Sequence, residues 1–315
     1  MMRLYYKGQN TVIKTTSVQP IDATDKLLWV DLQNPPVEEI AEIEQLFGIN
    51  IPSRLQQEEI ESSSRYTETD DCIVANSNFI QFHANNQYEN VHVSFLVKND
   101  LLVTYREGSL QSFAECVKKI KTNPRTFANG KMILLAIFET RVDIDADLIE
   151  SFSRQISAIS KQLSEGTNVS ADVLKQIAAL QETTMQLRAN IIDKQRVTSS
   201  MLKSQEFSLE ERERLRILNK DISSLVEHTS FLFERLEYLQ NTILGLVNTE
   251  QNKIIKLFTV VSVIFMPPTL IASMYGMNFK YIPELDWKIG YPLAIVLMIS
   301  SSVIILFLFR KKKWL

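Results

Sequence analysis

The residues Asn252–Asn278, which read NKIIKLFTVVSVIFMPPTLIASMYGMN, decide the fold of this chain. From Ile254 to Met274 the only charged residue is Lys256, which stands near one end. A helix needs about 20 predominantly apolar residues to cross a bilayer, so this stretch has the length of a membrane span. Its uncharged polar residues all fall on one series of positions with heptad spacing. We name that series the heptad seam: Asn252, Ile255, Thr259, Ser262, Met266, Thr269 and Ser273.

A polar stripe inside a bilayer has to face another helix or water. One interpretation is ordinary helix–helix contact, because Ser and Thr are common in membrane interfaces. The other is that several copies of the helix surround a pore and turn their seams to the lumen. One copy cannot enclose a lumen, so the second interpretation requires a homo-oligomer.

The formal charge of the 315-residue chain is divided unevenly between its two ends. Residues 251–315 hold eight of the 34 basic and two of the 37 acidic residues, which leaves −9 on residues 1–250 and +6 on the tail. A net-negative N-terminal part argues against nucleic acid as a partner and is compatible with cations. The length suffices for more than one domain.

The sequence carries no signal for an enzyme or an ATP-driven pump. The three histidines form no HExxH pair, and no nucleotide-binding glycine pattern is present. The two cysteines form no CxxC, which argues against a disulfide framework or a thiolate metal site. The N-terminus lacks the apolar core of a signal peptide, so we expect the N-terminal part to stay in the cytosol.

Residues 1–130 are predicted to form a cytosolic α/β domain. Strand-like runs occur at 11–16, 27–32, 72–82, 90–98 and 101–105, and Asn99-Asp100 between the last two favours a tight hairpin. Helical spacing predicts a helix over Val37–Phe47 closed by Gly48, and a second, short helix over Ile51–Ile60.

The rest of the chain is predicted to be helical. Residues 131–205 break near 164–170 and are expected to fold back as a hairpin, and 206–274 are expected to form a stalk helix that continues into the first span at about 254–274. Helix over 209–274 would be about 100 Å long. Residues 275–290 form a loop, 291–309 a second span and 310–315 a basic tail. Both outer flanks of the spans are basic, so the positive-inside rule places both termini in the cytosol and the loop outside.

The sequence closely resembles the CorA magnesium transporters over this whole layout. The motifs that carry the resemblance lie in the last quarter of the chain: Glu250–Asn252, Phe265–Pro268, Tyr275–Phe279, Pro283–Leu285, Trp287, Gly290–Pro292 and Lys312–Leu315. The resemblance implies an α+β membrane protein that assembles as a homopentameric funnel, with the first span lining a pore. It implies passive Mg²⁺ influx across the inner membrane, with Co²⁺ and Ni²⁺ often tolerated. Related zinc transporters usually replace Met277, so this residue favours the magnesium branch.

Carried over position by position, the resemblance assigns Gly276, Met277 and Asn278 to a selectivity motif at the outer mouth. It assigns pore or gate positions to Asn252, Ile255, Phe258, Met266 and Thr269, and Phe258 is the one that lies off the seam. We also predict that Thr259, Ser262 and Ser273 are pore positions, because they lie on the heptad seam.

Mg²⁺ gives up its water reluctantly, so a ring of uncharged oxygen acceptors such as Asn278 suits recognition of the hydrated ion. Gly276 is expected to let the chain turn sharply and bring carbonyls to the mouth. Below it, Ile255, Phe258 and Met266 would form apolar rings that gate by resisting wetting. Pro267-Pro268 removes two backbone donors and is expected to bend the helix and free carbonyls toward the lumen.

Several charged positions are assigned to the outer loop and the inner end of the pore. In the loop, Glu284 and Asp286 are expected to offset Lys280, which stands where a Glu often occurs in the family. At the cytosolic end, a basic collar either anchors the chain in lipid and sets its topology or helps keep the pore closed: Lys253, Lys256, Arg310, Lys311, Lys312 and Lys313.

The resemblance also implies that Mg²⁺ bound between cytosolic domains locks the closed state. Asp221 resembles one such position, and the candidates for its partner are Asp70, Asp71 and Asp100. Two other functions are compatible with the sequence, namely a zinc transporter of the same fold and a two-span membrane receptor that senses Mg²⁺ without conducting it.

Overall fold

A computed structural model describes residues 1–7, 12–15, 26–53, 65–69, 71–82, 88–165, 171–278, 280 and 282–312. Contacts between Cα atoms divide the chain into two compact units, Met1–Gln240 and Asn241–Leu315.

The first unit contains one mixed sheet. Among the described residues its strands are β1 Met2–Lys7, β2 Val12–Thr15, β3 Lys26–Gln33, β4 Tyr66–Glu68, β5 Ile73–Phe82, β6 Tyr88–Lys98 and β7 Leu101–Arg106. They pair in the order β2-β1-β3-β7-β6-β5-β4, with β3 and β7 parallel and the other neighbours antiparallel. The five strand-like runs of the sequence are confirmed, whereas β1 and the three-residue β4 were not predicted.

The local turn and cap signals of the sequence are confirmed. Asn99, at the start of the turn between β6 and β7, has a positive φ of 54°. The first helix, α1, spans Val37–Phe47 and ends on Gly48, which adopts the left-handed conformation that a side chain disfavours. Of the short helix predicted over 51–60, residues 51–53 are not helical, and 54–60 lie outside the described residues.

Side chains alternate between the two faces of the sheet, as the period of a strand requires. One face packs on α1 and carries aliphatic residues, among them Leu4, Val30, Leu32 and Val103. The other face is aromatic, and it is covered by the helices α2 Gln111–Thr122 and α3 Gly130–Ser164. Four rings of this face form one buried cluster with Phe113 of α2 and Phe138 of α3, and the four are Tyr5, Trp29, Phe79 and Phe95.

In the region of the predicted hairpin, α3 is followed by a second long helix, α4, which spans Ala171–Lys203. A fully buried charge network joins the two helices to the sheet. Asp145 of α3 accepts from Arg141 at 2.9 Å and lies 3.5 Å from Lys194 of α4. Lys194 also donates to the Asn78 carbonyl of β5 at 3.0 Å, and burial lowers the pKa of this lysine to about 8. Because each charge has polar partners, the network holds the hairpin against one edge of the sheet.

The last two helices are α5, Leu209–Tyr275, and α6, Gly290–Lys311. The start of α5 is a capping box, in which the Ser208 N–H donates to the Glu211 carboxylate at 2.8 Å and the Glu211 N–H donates to the Ser208 hydroxyl at 3.3 Å. The continuous helix that begins at this capping box agrees with the stalk helix that the sequence predicted to run into the first span. A 3₁₀ turn, Pro283–Asp286, lies between α5 and α6. Both helices contain a stretch long and apolar enough to cross a membrane.

Candidate functional site

One face of α5 is turned toward α6. Between positions 252 and 275 the least exposed side chains of α5 are spaced three or four apart, and they include Val260, Ile264, Pro267 and Ile271. At this face the Ser302 hydroxyl of α6 donates to the Ile264 carbonyl at 3.3 Å. The corresponding face of α6 includes small residues, which let helices approach closely in a bilayer: Ala294, Ser301 and Ser302.

The heptad seam lies on the other side of α5. With about 100° of rotation per residue, the seam positions point away from the face that carries Ile264. All seven are exposed in the single chain: Asn252, Ile255, Thr259, Ser262, Met266, Thr269 and Ser273. The seam is therefore not covered by the chain's own second span. Phe258 is also exposed, at 68%, one step to the side of the seam.

Two seam hydroxyls are oriented by the helix backbone. Thr259 donates to the Ile255 carbonyl at 2.8 Å, and Thr269 donates to the Phe265 carbonyl at 2.7 Å. A hydroxyl that has given its hydrogen to the backbone keeps its lone pairs as acceptors. The seam thus offers oxygen acceptors, the groups that hydrated cations need.

The expectation that Pro267-Pro268 frees carbonyls toward a lumen is wrong for one of the two carbonyls concerned. Pro268 deprives the Ile264 carbonyl of its normal helical donor, because proline has no N–H. That carbonyl accepts instead from Ser302, so it is directed toward α6.

The Gly276–Asn278 motif follows directly on the end of α5. The N–H groups of Gly276 and Met277 donate to the carbonyls of Ala272 at 2.9 Å and Met274 at 3.4 Å, and Met277 and Asn278 are exposed. Gly276 does not have the positive φ of a sharp left-handed turn, but a Cβ on it would lie only 3.1 Å from the Ala272 carbonyl oxygen. A side chain at this position would require the helix end to shift by a few tenths of an ångström. The motif sits at the negative end of the α5 dipole, where cations are favoured.

The loop after the motif is described only in part. Lys280 and Asp286 are exposed. The backbone of Glu284 belongs to the 3₁₀ turn, but its side chain lies outside what the structure describes, as do Phe279 and Tyr281. The exposed Trp287 and Tyr291 flank the start of α6, a placement typical of side chains at the edge of a membrane.

The bond between Ser302 and Ile264 sets the antiparallel register of α5 and α6. Arg310 lies eight residues after Ser302 on α6, and Lys256 lies eight residues before Ile264 on α5. The two basic residues therefore fall at the same level of the antiparallel pair. Lys311 and Lys312 are exposed beside Arg310, while Lys253 is paired with Glu250 at 3.2 Å. The described part of the basic collar is thus gathered at one end of the two apolar segments, and Lys313 lies outside the described residues.

In the first unit, Asp221 is exposed at the rim of a cavity of about 300 Å³ between α2, α3 and α5. Arg214 is paired there with Glu139 at 2.6 Å, and Lys119 lies 3.7 Å from Asp143.

Of the suggested partners of Asp221, Asp100 is paired with Lys26 at 2.5 Å, Asp71 is exposed, and Asp70 lies outside the described residues. Within the part of the chain that the structure describes, no three His, Cys, Asp or Glu residues are grouped as a metal site.

A second exposed feature of α5 was missed in the sequence. Ile217, Phe231 and Tyr238 are 56%, 57% and 70% exposed, although they are large and apolar or aromatic. They stand at heptad spacing, and Ile217 lies five heptads before Asn252, so the signal could have been found by extending the seam backwards. We name these three residues the soluble-unit stripe.

The α/β unit followed by two apolar C-terminal helices defines an integral membrane protein with a large soluble part. The family model described as "CorA-like Mg2+ transporter protein" matches residues 24–311. The magnesium transport protein CorA of Wolinella succinogenes is 38% identical over 321 residues, which cover 100% of both chains. That of Escherichia coli K12 is 32% identical over 98% of this chain and 99% of its own.

Among solved structures, the complete CorA magnesium transporter of Methanocaldococcus jannaschii superposes with a TM-score of 0.83 over 100% of this chain and 99% of that one. At 22% identity, this likeness shows the fold. The chain belongs to the CorA-like Mg²⁺ transporter family. The predicted family, the α+β fold of the single chain with its long helix and two apolar C-terminal helices, the transmembrane character and the link to magnesium transport are therefore confirmed.

Proposed function

We propose that this chain forms a homopentameric channel for Mg²⁺ in the inner membrane, with both termini in the cytosol. The five seams surround the pore, and Gly276, Met277 and Asn278 form its outer selectivity site. Mg²⁺ enters passively, Co²⁺ and Ni²⁺ are accepted by the same recognition of a hydrated ion, and cytosolic Mg²⁺ closes the pore. Neither ATP nor a catalytic reaction takes part.

The observation that carries this proposal is the exposure of the heptad seam on the side of α5 away from α6. Hydroxyl and amide groups cannot face lipid without cost, so something other than the chain's own second span has to cover them. If copies of α5 surround a water-filled axis, every polar group of the seam can face water or another copy instead of lipid. The family membership makes that axis a path for Mg²⁺.

The chemistry of the mouth suits a hydrated divalent ion. Gly276, Met277 and Asn278 bring no carboxylate, and Asn278 offers an amide oxygen that can accept from the water shell. Acceptance through water is weak enough to let the ion leave again, which conduction requires. The carbonyls at the end of α5 add partial negative charge from each copy.

The membrane potential suffices as a driving force. A charge gains about 2.3 kcal/mol for every 100 mV it crosses, so a divalent ion gains about 5 kcal/mol. Closure then has to oppose a strong inward force. Apolar rings of Ile255, Phe258 and Met266 resist wetting, and the basic collar adds electrostatic repulsion at the inner end.

The decisive experiment measures Mg²⁺ influx into liposomes that contain the purified protein. We expect flux from the wild type, and we expect Asn278→Ala to lower it by about tenfold or more, because it deletes one acceptor from every copy at the narrow mouth. Lys288→Ala, an exposed change in the same loop, is the matched control and should leave the rate near that of the wild type.

Three other outcomes would contradict parts of the proposal. Wild-type rates in Asn278→Ala would remove the motif from the selectivity site. A well-folded pentamer without flux would favour a membrane receptor that senses Mg²⁺. Uptake of Zn²⁺ that Mg²⁺ does not compete with would favour a zinc transporter of the same fold.

A further inference from the structure

The α5 helix contains two adjacent prolines about two turns before its C-terminal end, Pro267 and Pro268. Proline lacks the N–H that would bond to the carbonyl four residues earlier, so Pro268 leaves the Ile264 carbonyl without its usual donor. Inside a bilayer no water replaces such a bond, and an unsatisfied backbone group is costly. A proline in a membrane helix is therefore tolerated where a neighbouring group supplies the missing donor.

Ser302 supplies that donor from the second span. Its hydroxyl lies 3.3 Å from the Ile264 carbonyl oxygen in a half-buried position between the two helices. The two serines just before it in the chain use their hydroxyls differently. Ser300 donates to the Leu297 carbonyl at 3.1 Å and Ser301 to the Met298 carbonyl at 2.8 Å, both within α6. Of these three adjacent serines, only Ser302 makes its bond to α5.

We infer that Ser302 is a positioning residue for the pore: its hydroxyl replaces the donor lost at Pro268 and holds α5 against α6 at this level. Ile264 lies two residues before Met266, which belongs to the seam and to the apolar rings of the proposed gate. The bond acts on the face of the helix away from the lumen, so it orients the seam without touching the ion. Its consequence for transport rests on the proposed function, whereas the bond itself does not.

The chain offers an internal test, because Pro268→Ala restores an N–H that the Ile264 carbonyl can accept from within α5. If the Ser302 hydroxyl replaces the N–H that Pro268 lacks, removing the hydroxyl should lower flux and stability only while Pro268 is present. The four proteins to compare are the wild type, Ser302→Ala, Pro268→Ala and the double variant. Ser301→Ala, one residue away with its bond inside α6, is the matched control, and Ser302→Thr keeps the hydroxyl.

In liposome flux, we expect Ser302→Ala to lower the maximal Mg²⁺ rate by about three- to tenfold, the effect of one interhelical hydrogen bond in a bilayer. The Mg²⁺ concentration that gives half-maximal flux should stay unchanged, because the mouth at Gly276–Asn278 is intact. Ser302→Thr should restore the rate, and Ser301→Ala should not lower it. In the Pro268→Ala background, adding Ser302→Ala should change the rate by less than about twofold.

Thermal unfolding of the same purified proteins gives a second measurement that does not depend on transport. Ser302→Ala should lower the apparent melting temperature by about 2–4 °C in the presence of Pro268 and have no further effect in its absence. A loss of the same size in both backgrounds, or an equal loss in Ser301→Ala, would overturn the inference. If the wild type carries no flux, the proposed function fails, while the unfolding cycle still decides whether Ser302 serves Pro268.

Discussion

The exposed Asp221 has no metal-binding partner in the single chain, among the residues that the structure describes, and would bind Mg²⁺ only when copies of the chain come together. It lies four residues after Ile217 on α5, so both point to the same side of the helix. Ile217 belongs to the soluble-unit stripe, and a second copy that covered the stripe would also approach Asp221. Carboxylates brought together in this way repel one another, and a divalent cation between them removes the repulsion. Bound Mg²⁺ would then favour the closed arrangement.

We therefore predict that Asp221→Asn weakens closure by internal Mg²⁺. The internal concentration that halves the influx should rise by about threefold or more, because a site that loses one charged ligand binds the ion less tightly. The measurement is the initial influx into liposomes loaded with increasing Mg²⁺. Asp143→Asn is the control, since Asp143 borders the same cavity on α3 but lies near Lys119. Unchanged inhibition in Asp221→Asn would exclude Asp221 from the sensor.

At the scale of the helices and strands, local signals in the sequence predicted most of the fold. Gly48 could be recognised as the end of α1 and Asn99 as a turn residue, because each signal needs only its neighbours in the chain. The three-residue β4 carries too little pattern to be recognised alone. The buried pairing of Asp145 with Lys194 joins residues distant in sequence, so no local pattern could predict it.

In the candidate site, too, local patterns were predictable from the sequence and contacts between distant residues were not. The seam was predictable because its residues share one helix and one spacing. The direction of the Ile264 carbonyl was not, because it depends on which face of α5 meets α6 and on Ser302, which lies 38 residues away. Whether the seam lines a pore also depends on other copies of the chain.

The two faces of α5 predict opposite reactivity of introduced cysteines. Thr259→Cys and Ser262→Cys on the seam should react with a charged, membrane-impermeant thiol reagent, because a watery lumen reaches them. Val260→Cys and Ile264→Cys, on the face toward α6, are the matched controls and should react at least about tenfold more slowly, because only a solvated thiolate reacts. Mass spectrometry after timed labelling of the protein in liposomes gives the rates.

The native cysteines allow this experiment with one background change. Burial raises the pKa of the Cys116 thiol to about 12, so Cys116 stays protonated and inert at neutral pH. Cys72 is only partly buried and should be replaced by Ser before labelling. Equal rates at Thr259→Cys and Val260→Cys would contradict a lumen on the seam side.

At the scale of the whole molecule, the proposed homopentamer would cover two sets of exposed groups on one helix. In the membrane segment these are the oxygen acceptors of the seam, and in the soluble unit they are the three side chains of the soluble-unit stripe. The two sets share a single heptad register along the sequence. A straight helix drifts by about 20° per heptad, so a left-handed supercoil of the α5 helices would be needed for one symmetric association to cover both sets.

We predict that the purified protein has the mass of the five chains of the proposed homopentamer and that the soluble-unit stripe stabilises the assembly. Burying one large apolar side chain contributes about 1.5–3 kcal/mol, so Phe231→Ser combined with Tyr238→Ser should remove several kcal/mol from each contact and release smaller species on dilution. Met185→Ser is the control, since Met185 is 55% exposed on α4, outside the stripe. Native mass spectrometry in mild detergent distinguishes the species. A wild type that is monomeric or dimeric would leave the seam without a lumen to line, and a double variant as stable as Met185→Ser would show that the seam and the outer loop hold the ring without the stripe.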